Sequence, residues 1–86
     1  MNINELIAIV KNKLRAKIVI QYLEIEDKSF LHKNHKGHQE GKFHLKLIIS
    51  SEELKKTSKI VSTKKIYNIL DIELKEHIHS IQILLN

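Results

Sequence analysis

The spacing of apolar residues changes from helical to alternating within the first half of the chain. Near the N-terminus they recur every three or four positions, at Ile3, Leu6, Ile7, Val10 and Leu14. This spacing predicts an amphipathic helix over residues 3–16, and Asn2 followed by Glu5 resembles a capping box at its start. From residue 21 the period becomes two, which predicts a strand with Leu23 and Ile25 on its buried face.

A second alternating segment begins at Phe43. Its apolar side chains, Phe43, Leu45, Leu47 and Ile49, are assigned to one face, and His44 is assigned to the opposite face. The segment therefore predicts a second strand, which would pair with the first in an antiparallel manner through the intervening loop.

The second half of the chain predicts two helices and a third strand. Ser50 and Ser51, followed by two glutamates, predict the start of a short helix. A longer helix is predicted to begin near Ser62 and Thr63, with an apolar stripe of Ile66, Ile69, Leu70 and Leu74. Residues 77–85 alternate as a β-strand does.

Simple alternation assigns the side chains of this last strand to two faces. One face would carry His77, His79, Ile81 and Ile83, and the other Ile78, Ser80, Gln82 and Leu84. The complete order, αββααβ, predicts an α+β fold in which a three-stranded mixed sheet packs against helices. A strand reached through two helices can lie parallel to an earlier one, so the third strand is predicted to be parallel.

Composition places limits on the chemistry of the chain. Its 86 residues predict a single domain, and its formal net charge is +5. It has no cysteine, so it can supply neither a disulfide nor a thiolate ligand. Its beginning is unlike a signal peptide and no apolar run reaches membrane-spanning length, so a cytoplasmic protein without membrane contact is expected.

Histidine is concentrated in residues 32–44, which also hold both glycines. Four of the six histidines lie there: His32, His35, His38 and His44. Neutral imidazole binds metal ions, and the spacing of the first three would supply an open zinc or nickel site. A solvated polar loop is the alternative interpretation of the same composition. Because residues 33–42 contain no apolar side chain, this part is predicted to be mobile in the free chain.

Five lysines lie between Leu54 and Leu70 with no acidic residue among them: Lys55, Lys56, Lys59, Lys64 and Lys65. Such a run forms either a solvated face or a surface that binds phosphates. The sequence offers no nucleophile beside a base, no suitable pair of carboxylates and no phosphate-binding glycine loop, so an enzyme is not expected. The αββααβ order is that of the KH type of RNA-binding domain, but residues 55–65 lack the glycines of the KH loop.

Two parts of the sequence resemble the BolA family. The first comprises residues 23–29, His32 and the strand from Phe43 to Ser50, including a histidine–apolar–lysine–apolar pattern that starts at His44. The second comprises Ile66, Tyr67 and the C-terminal pattern Ile78-His79-Ser80-Ile81. The resemblance covers nearly the whole chain and implies a single BolA-like domain over residues 1–86 with a class II KH-like fold.

The resemblance also implies a partner and a cofactor. Members of this family pair with a monothiol glutaredoxin and share a [2Fe-2S] cluster, to which the partner contributes a cysteine and glutathione. Carried over to this sequence, the C-terminal ligand is His79. The loop ligand is His32, which follows Asp27 and Ser29 in the D-x-S-x-x-H pattern, while His35 and His38 remain alternates. The expected function is iron–sulfur cluster trafficking, maturation or iron regulation, in a chain that is monomeric when alone.

The alternative function is DNA binding, since the family is also linked to transcriptional regulation of the stress response and cell morphology. The lysine-rich helical region, Lys55, Lys56, Lys59, Lys64 and Lys65, would then contact DNA. This sequence departs from the family pattern there, because Ser62-Thr63-Lys64 stands where many members have two arginines around a histidine. Arginine is the side chain best suited to bidentate phosphate or guanine contacts, so the departure favours the iron–sulfur function.

Overall fold

The computed structural model describes residues 1–29 and 42–86, which form four helices and three strands. In chain order they are α1 (Ile3–Lys17), β1 (Tyr22–Asp27), β2 (Phe43–Ser50), α2 (Glu52–Lys55), α3 (Lys59–Ile69), α4 (Asp71–Glu76) and β3 (Ile78–Leu85). The strands form one sheet in the order β1-β2-β3, with β1 and β2 antiparallel and β2 and β3 parallel. The predicted mixed three-stranded sheet is confirmed.

Helix α1 follows the apolar spacing of the sequence and extends one residue beyond the predicted end. The side chain of Asn2 accepts a hydrogen bond from the backbone N–H of Glu5 at 2.8 Å, and its Nδ2 donates to Glu5 Oε1 at 2.9 Å. The first bond satisfies a free backbone amide of the first turn, so Asn2 caps the helix as predicted. The second joins the two side chains, whereas in a complete capping box Glu5 would accept from the backbone N–H of Asn2. Leu6, Val10 and Leu14 are completely buried, and they attach the helix to the core.

The sheet buries the apolar face predicted for β1 and β2. Leu23 pairs with Ile49 and Ile25 pairs with Leu47, so the same-face side chains of the two strands meet across the ladder. Leu45, Leu47 and Ile49 belong to the core together with the buried residues of α1. One face of the sheet is therefore packed against helices, and the other carries polar side chains together with Tyr22, Ile48 and Leu84.

The start of α3 differs from the sequence prediction, which placed it near Ser62 and Thr63. The helix begins at Lys59, and the side chain of Ser58 caps it by accepting a hydrogen bond from Val61 N at 3.2 Å. The hydroxyl of Ser62 is instead buried and donates to the carbonyl oxygen of Leu54 at 3.2 Å. Ser62 thus joins α3 to α2 and does not cap a helix, which is why the prediction was wrong.

The single apolar stripe predicted from Ile66 to Leu74 is divided at Leu70. The backbone of Leu70 leaves helical geometry, with φ −98° and ψ 19°, and separates α3 from α4. Leu70 and Ile66 are nonetheless completely buried, and Leu74 packs partly buried against the same core. The prediction identified the buried residues correctly but not the break between two helices.

The two faces assigned to the last strand are wrong at its beginning. Phe43 pairs with Ile78 but the next residue, His44, pairs with Ser80, so β3 contains one extra residue, His79. A β-bulge of this kind interrupts the alternation of side chains. Ile78 is therefore buried in the core on the same side as the half-buried Ile81, whereas simple alternation put these two residues on opposite faces. His77 precedes the strand.

No helix in residues 1–29 or 42–86 is long and apolar enough to cross a membrane.

Glu53 of α2 is bonded both to Val19, after α1, and to Lys65 of α3. These contacts lead us to expect that the stability of the fold depends on pH. Its Oε2 lies 2.9 Å from Lys65 Nζ, and its Oε1 accepts a hydrogen bond from Val19 N at 3.2 Å. The Lys65 hydrogen bond, followed by that from Val19, lowers the pKa of Glu53 below its ordinary value of 4.5. The stabilisation is therefore present above that ordinary value and is lost as the pH falls through the folded-state pKa.

Replacing Glu53 by Gln should remove this pH-dependent contribution. The free energy of unfolding of the variant should fall below that of the wild type at about pH 7, and the two should converge towards about pH 3. Urea denaturation at several pH values measures the difference. A difference that stays constant over the whole range would contradict the assignment of Glu53.

Candidate metal-binding histidines at the end of the sheet

His79 is the extra residue of the bulge in β3. It is exposed, whereas its neighbour Ile78 is buried with 2% of its surface accessible. The bulge is located where β3 begins, so this histidine lies at one end of the sheet. An imidazole in this place can contact another molecule without moving any residue of the core.

A second histidine, His44, lies beside it. The ring centroids of His44 and His79 are 4.8 Å apart, and the ring planes meet at 71°, which is an edge-to-face contact. His44 is only 3% exposed, and its Nδ1 is 2.6 Å from Ser80 Oγ, a hydrogen bond whose direction depends on the histidine tautomer. Because its ring is held by Ser80, His44 offers a fixed surface against which the exposed imidazole of His79 packs.

The two described residues that border residues 30–41 lie at this same end of the sheet. Ser29 Oγ accepts a hydrogen bond from the backbone N–H of His44 at 3.1 Å, and Lys42 Nζ donates to the carbonyl oxygen of Lys75 at 3.2 Å. Phe43, which follows Lys42, pairs with Ile78. The chain thus leaves and re-enters the described structure close to His79.

The other histidines predicted to bind metal, His32, His35 and His38, fall within residues 30–41 and lie outside the described residues. The same holds for most of the segment predicted to be mobile, residues 33–42. His77 is described: it is half-buried, and its Nε2 lies 3.7 Å from Glu76 Oε2. Of the six histidines, His44, His77 and His79 are therefore the ones whose position is known.

The donor set can be compared with the [2Fe-2S] cluster that the family resemblance implies. Within the described ranges, no three histidine or acidic side chains come together in a way that could hold a metal ion. His79 is an exposed imidazole, and neutral imidazole is a known ligand of iron in such clusters. The described residues would therefore fit only a shared site, to which His79 could contribute one ligand and to which the other ligands would come from elsewhere.

The outer face of the sheet next to the histidines is polar. A concavity of about 360 Å³ is lined there by five polar residues, Lys28, His44, Lys46, Ser80 and Gln82, and by the apolar Leu45 and Ile81. Glu26 lies on this face beside Lys28, at 2.8 Å, and the hydrogen bond from that lysine holds the pKa of Glu26 below its ordinary value. Charged groups thus lie close to His44 and Ser80 on this side of the sheet.

The five lysines of the predicted phosphate-binding surface are all exposed. Glu52 and Glu53, which precede the run, pair with two of them: Lys55 Nζ is 3.3 Å from Glu52 Oε1, and Lys65 Nζ is 2.9 Å from Glu53 Oε2. Lys59 shares one concavity with Lys55 and another with Lys64, so these lysines follow one another around α2 and α3. The five lysines therefore form an exposed basic surface, but carboxylates neutralise part of its charge.

His79, His44 and Ser80 together form what we call the histidine site. The sequence did not identify His44 and Ser80 as functional candidates. The sequence placed His44 on the outer face of its strand, which is confirmed, but gave it no partner. Its contact with His79 and its hydrogen bond to Ser80 depend on how β2 and β3 are aligned. The one signal in the sequence was that both polar residues interrupt strands rich in Ile and Leu.

Comparison with known proteins gives the family. A family model described as BolA-like protein matches residues 14–86. The protein named DNA-binding transcriptional regulator BolA, from Haemophilus influenzae, is 30% identical over 73 residues, which are 85% of this chain and 68% of that protein.

Solved structures of related domains have the same fold. The BolA domain of SufE1 from Arabidopsis thaliana is 27% identical, with a TM-score of 0.77 over 100% of this chain and 93% of the other. BolA1 from Arabidopsis thaliana is 24% identical, with a TM-score of 0.78 over 92% of this chain and 87% of the other. At this level of identity the similarity is evidence for the fold only. The family model, the relative and the fold agree, and the chain belongs to the BolA-like family.

Proposed function

We propose that this chain pairs with a monothiol glutaredoxin and shares a [2Fe-2S] cluster with it, as a non-enzymatic component of iron–sulfur cluster trafficking, maturation or iron regulation. One observation carries the proposal. The exposed imidazole of His79 stands in a bulge at one end of the sheet. Ser29 and Lys42, the described residues on either side of residues 30–41, lie at the same end. A ligand from residues 30–41 and His79 can therefore serve one site.

Histidine is the residue through which this chain would bind the cluster. The sequence contains no cysteine, so thiolate ligation from this side is excluded. His79 would be one ligand, and His32 the other, with His35 and His38 as alternates. When bound, a cluster with two imidazole ligands on one iron supplies one-electron chemistry at a higher potential than an all-thiolate cluster.

His44 and Ser80 would hold the ligand in position. A metal-binding histidine needs its ring orientation fixed by surrounding groups, and such groups commonly change metal affinity when they are removed. The His44 ring, held by its hydrogen bond to Ser80, packs edge-to-face against His79. This contact restricts the ring of His79 while leaving it accessible to a partner protein.

Co-expression tests the proposal directly. The chain alone should be a colourless monomer, and co-purification with a monothiol glutaredoxin should yield a heterodimer with the visible absorption of a [2Fe-2S] cluster. Size-exclusion chromatography with absorption and iron analysis measures both properties. A glutaredoxin that retains its own cluster and elutes separately from the chain would contradict the proposal.

DNA binding is the second candidate function, and two observations favour it. The relative from Haemophilus influenzae is named a DNA-binding transcriptional regulator. In this chain, Lys56, Lys59 and Lys64 are exposed along α2 and α3 without an ion pair to any described carboxylate. Contacts between such lysines and phosphates would bind duplex DNA with little sequence preference.

If this surface binds DNA, replacing Lys64 and Lys65 by alanine should weaken binding and lower its salt dependence. Because Lys64 has no ion pair with a described residue, whereas Lys65 would have to exchange its ion pair with Glu53 for a phosphate contact, the slope of log K against log salt concentration should fall by about one to two. Fluorescence anisotropy with a labelled duplex at several salt concentrations gives both quantities. Substituting Lys11 and Lys75, exposed lysines of α1 and α4, by alanine is the matched control because it removes the same charge, and equal effects of the two double substitutions would refute the assignment.

A further inference from the structure

A groove lies between helices α1 and α3, away from the histidine site. Its volume is about 710 Å³, within the range typical of ligand-binding clefts. Helix α1 contributes Lys13, Ala16 and Lys17, and α3 contributes Val61, Lys64, Lys65, Asn68 and Ile69. The proposed cluster site does not use this part of the molecule, although Lys64 and Lys65 also belong to the lysine surface considered above for DNA binding.

Lysines stand on both walls of the groove. Lys13 and Lys65 are already paired, with Glu73 at 2.6 Å and with Glu53 at 2.9 Å. Lys17 and Lys64 have no hydrogen bond or ion pair with the described residues, and they face the groove from opposite helices. The groove therefore carries two positive charges that are available to an incoming molecule.

Apolar surface lies between these charges. Val61 is 53% exposed, a high value for a branched aliphatic side chain, and Ala16 is exposed beside it. Ile69, at the other end of the α3 wall, is half-buried. A ligand that covered these side chains would remove their apolar surface from water, which favours binding.

We propose that this groove binds an acidic amphipathic helix of a partner protein. From Val61 to Ile69 the α3 wall is about 12 Å long, which equals roughly two turns of a helix laid alongside. Apolar side chains spaced i, i+4 and i+7 on such a helix would cover Val61 and Ala16. Aspartates or glutamates flanking them would reach Lys17 on one side and Lys64 on the other.

This occupant fits the groove better than two others with negative charge. A nucleic-acid backbone brings phosphates to the lysines but has no apolar side chains to cover Val61. A fatty acid covers apolar surface, but it brings a single negative charge to a groove that carries two lysines without a described partner. A segment with acidic residues on both sides of an apolar stripe matches the lysines and the apolar side chains of the groove together.

A synthetic peptide tests the proposal. The probe is a labelled peptide of about 15 residues, long enough to fold on binding, with leucines at i, i+4 and i+7 and glutamates beside them. Fluorescence anisotropy should detect binding to the wild-type chain, and amide NMR shifts should locate it at Ala16, Lys17, Val61 and Lys64. Replacing Lys17 and Lys64 together by Glu should weaken binding about tenfold or more, because attraction becomes repulsion.

Two controls separate this site from general attraction to a basic protein. Replacing Lys11 and Lys75 by Glu produces the same change in net charge outside the groove, and should alter affinity less than about twofold. Val61→Gln should also weaken binding although it leaves the charge unchanged. Equal losses in both lysine pairs, or unaltered binding of a peptide with Gln for every Glu, would overturn the proposal. So would duplex DNA that binds through Lys17 and Lys64 while the peptide does not.

Discussion

Replacing His79 by alanine should abolish the shared cluster, or lower its yield at least about tenfold, while leaving the fold intact. The side chain is exposed in the bulge and belongs to no buried cluster, so its removal costs little packing energy. If it is a ligand, however, one of the bonds to iron from this chain is lost. Visible circular dichroism of the co-purified heterodimer and the melting temperature of the free chain give the two results.

His77→Ala is the matched control, because it removes another imidazole two residues away that precedes the strand. It should leave the cluster spectrum unchanged. His32→Ala should weaken the cluster less completely than His79→Ala, since His35 and His38 can substitute for it. Acid should also release the cluster, because imidazole binds metal only when it is not protonated. An unaltered cluster spectrum in the folded His79→Ala complex would end the proposal that His79 is a ligand.

Replacing Lys13 by methionine should lower the free energy of unfolding by about 1–3 kcal/mol. Lys13 Nζ lies 2.6 Å from Oε2 of Glu73, whose side chain is only 6% exposed, and this ion pair connects α1 to α4. The variant leaves the buried carboxylate without its positive partner. Burying the pair also costs desolvation free energy, which offsets part of the attraction between the two charges. That cost is removed only if both charges are removed. Urea denaturation measures the loss.

The double variant Lys13→Met, Glu73→Leu tests the mechanism. It should recover most of the lost stability, because no uncompensated charge then remains in the interior. Lys11→Met, at an exposed position of the same helix, should change stability by less than about 0.5 kcal/mol. The two residues would act independently if the losses of stability in Lys13→Met and Glu73→Leu simply added up in the double variant. In that case the explanation would fail.

The parts of the fold that were predicted correctly depend on residues close in sequence. The capping of α1 by Asn2 involves a residue three positions away, and the buried face of β2 follows from its own alternation. The start of α3 could not be chosen in the same way, since Ser58, Ser62 and Thr63 are all acceptable caps by residue type. Burial of Ser62 against α2 decides among them, and that contact is tertiary.

In the histidine site, too, some features could be predicted from the sequence and others depend on tertiary contacts. His79 was identified through the BolA resemblance of the segment that contains it. The bulge that exposes it depends on the pairing of β3 with β2, because Phe43 and His44 are matched to Ile78 and Ser80. A pattern within one strand carries no information about an extra residue that appears only when two strands are aligned. The neighbouring His44 and Ser80 were missed for this reason.

The bulge in β3 also bears on how this sequence can change during evolution. In a regular strand, deleting or inserting a residue reverses every following side chain. Here the extra residue, His79, separates the buried Ile78 from the rest of the strand, from Ser80 onward. The requirement for a stable core therefore restricts Ile78, whereas the exposed residue next to it is not restricted by core packing. Position 79 can therefore change its side chain without disturbing the core, so any constraint on its identity must come from function and not from folding.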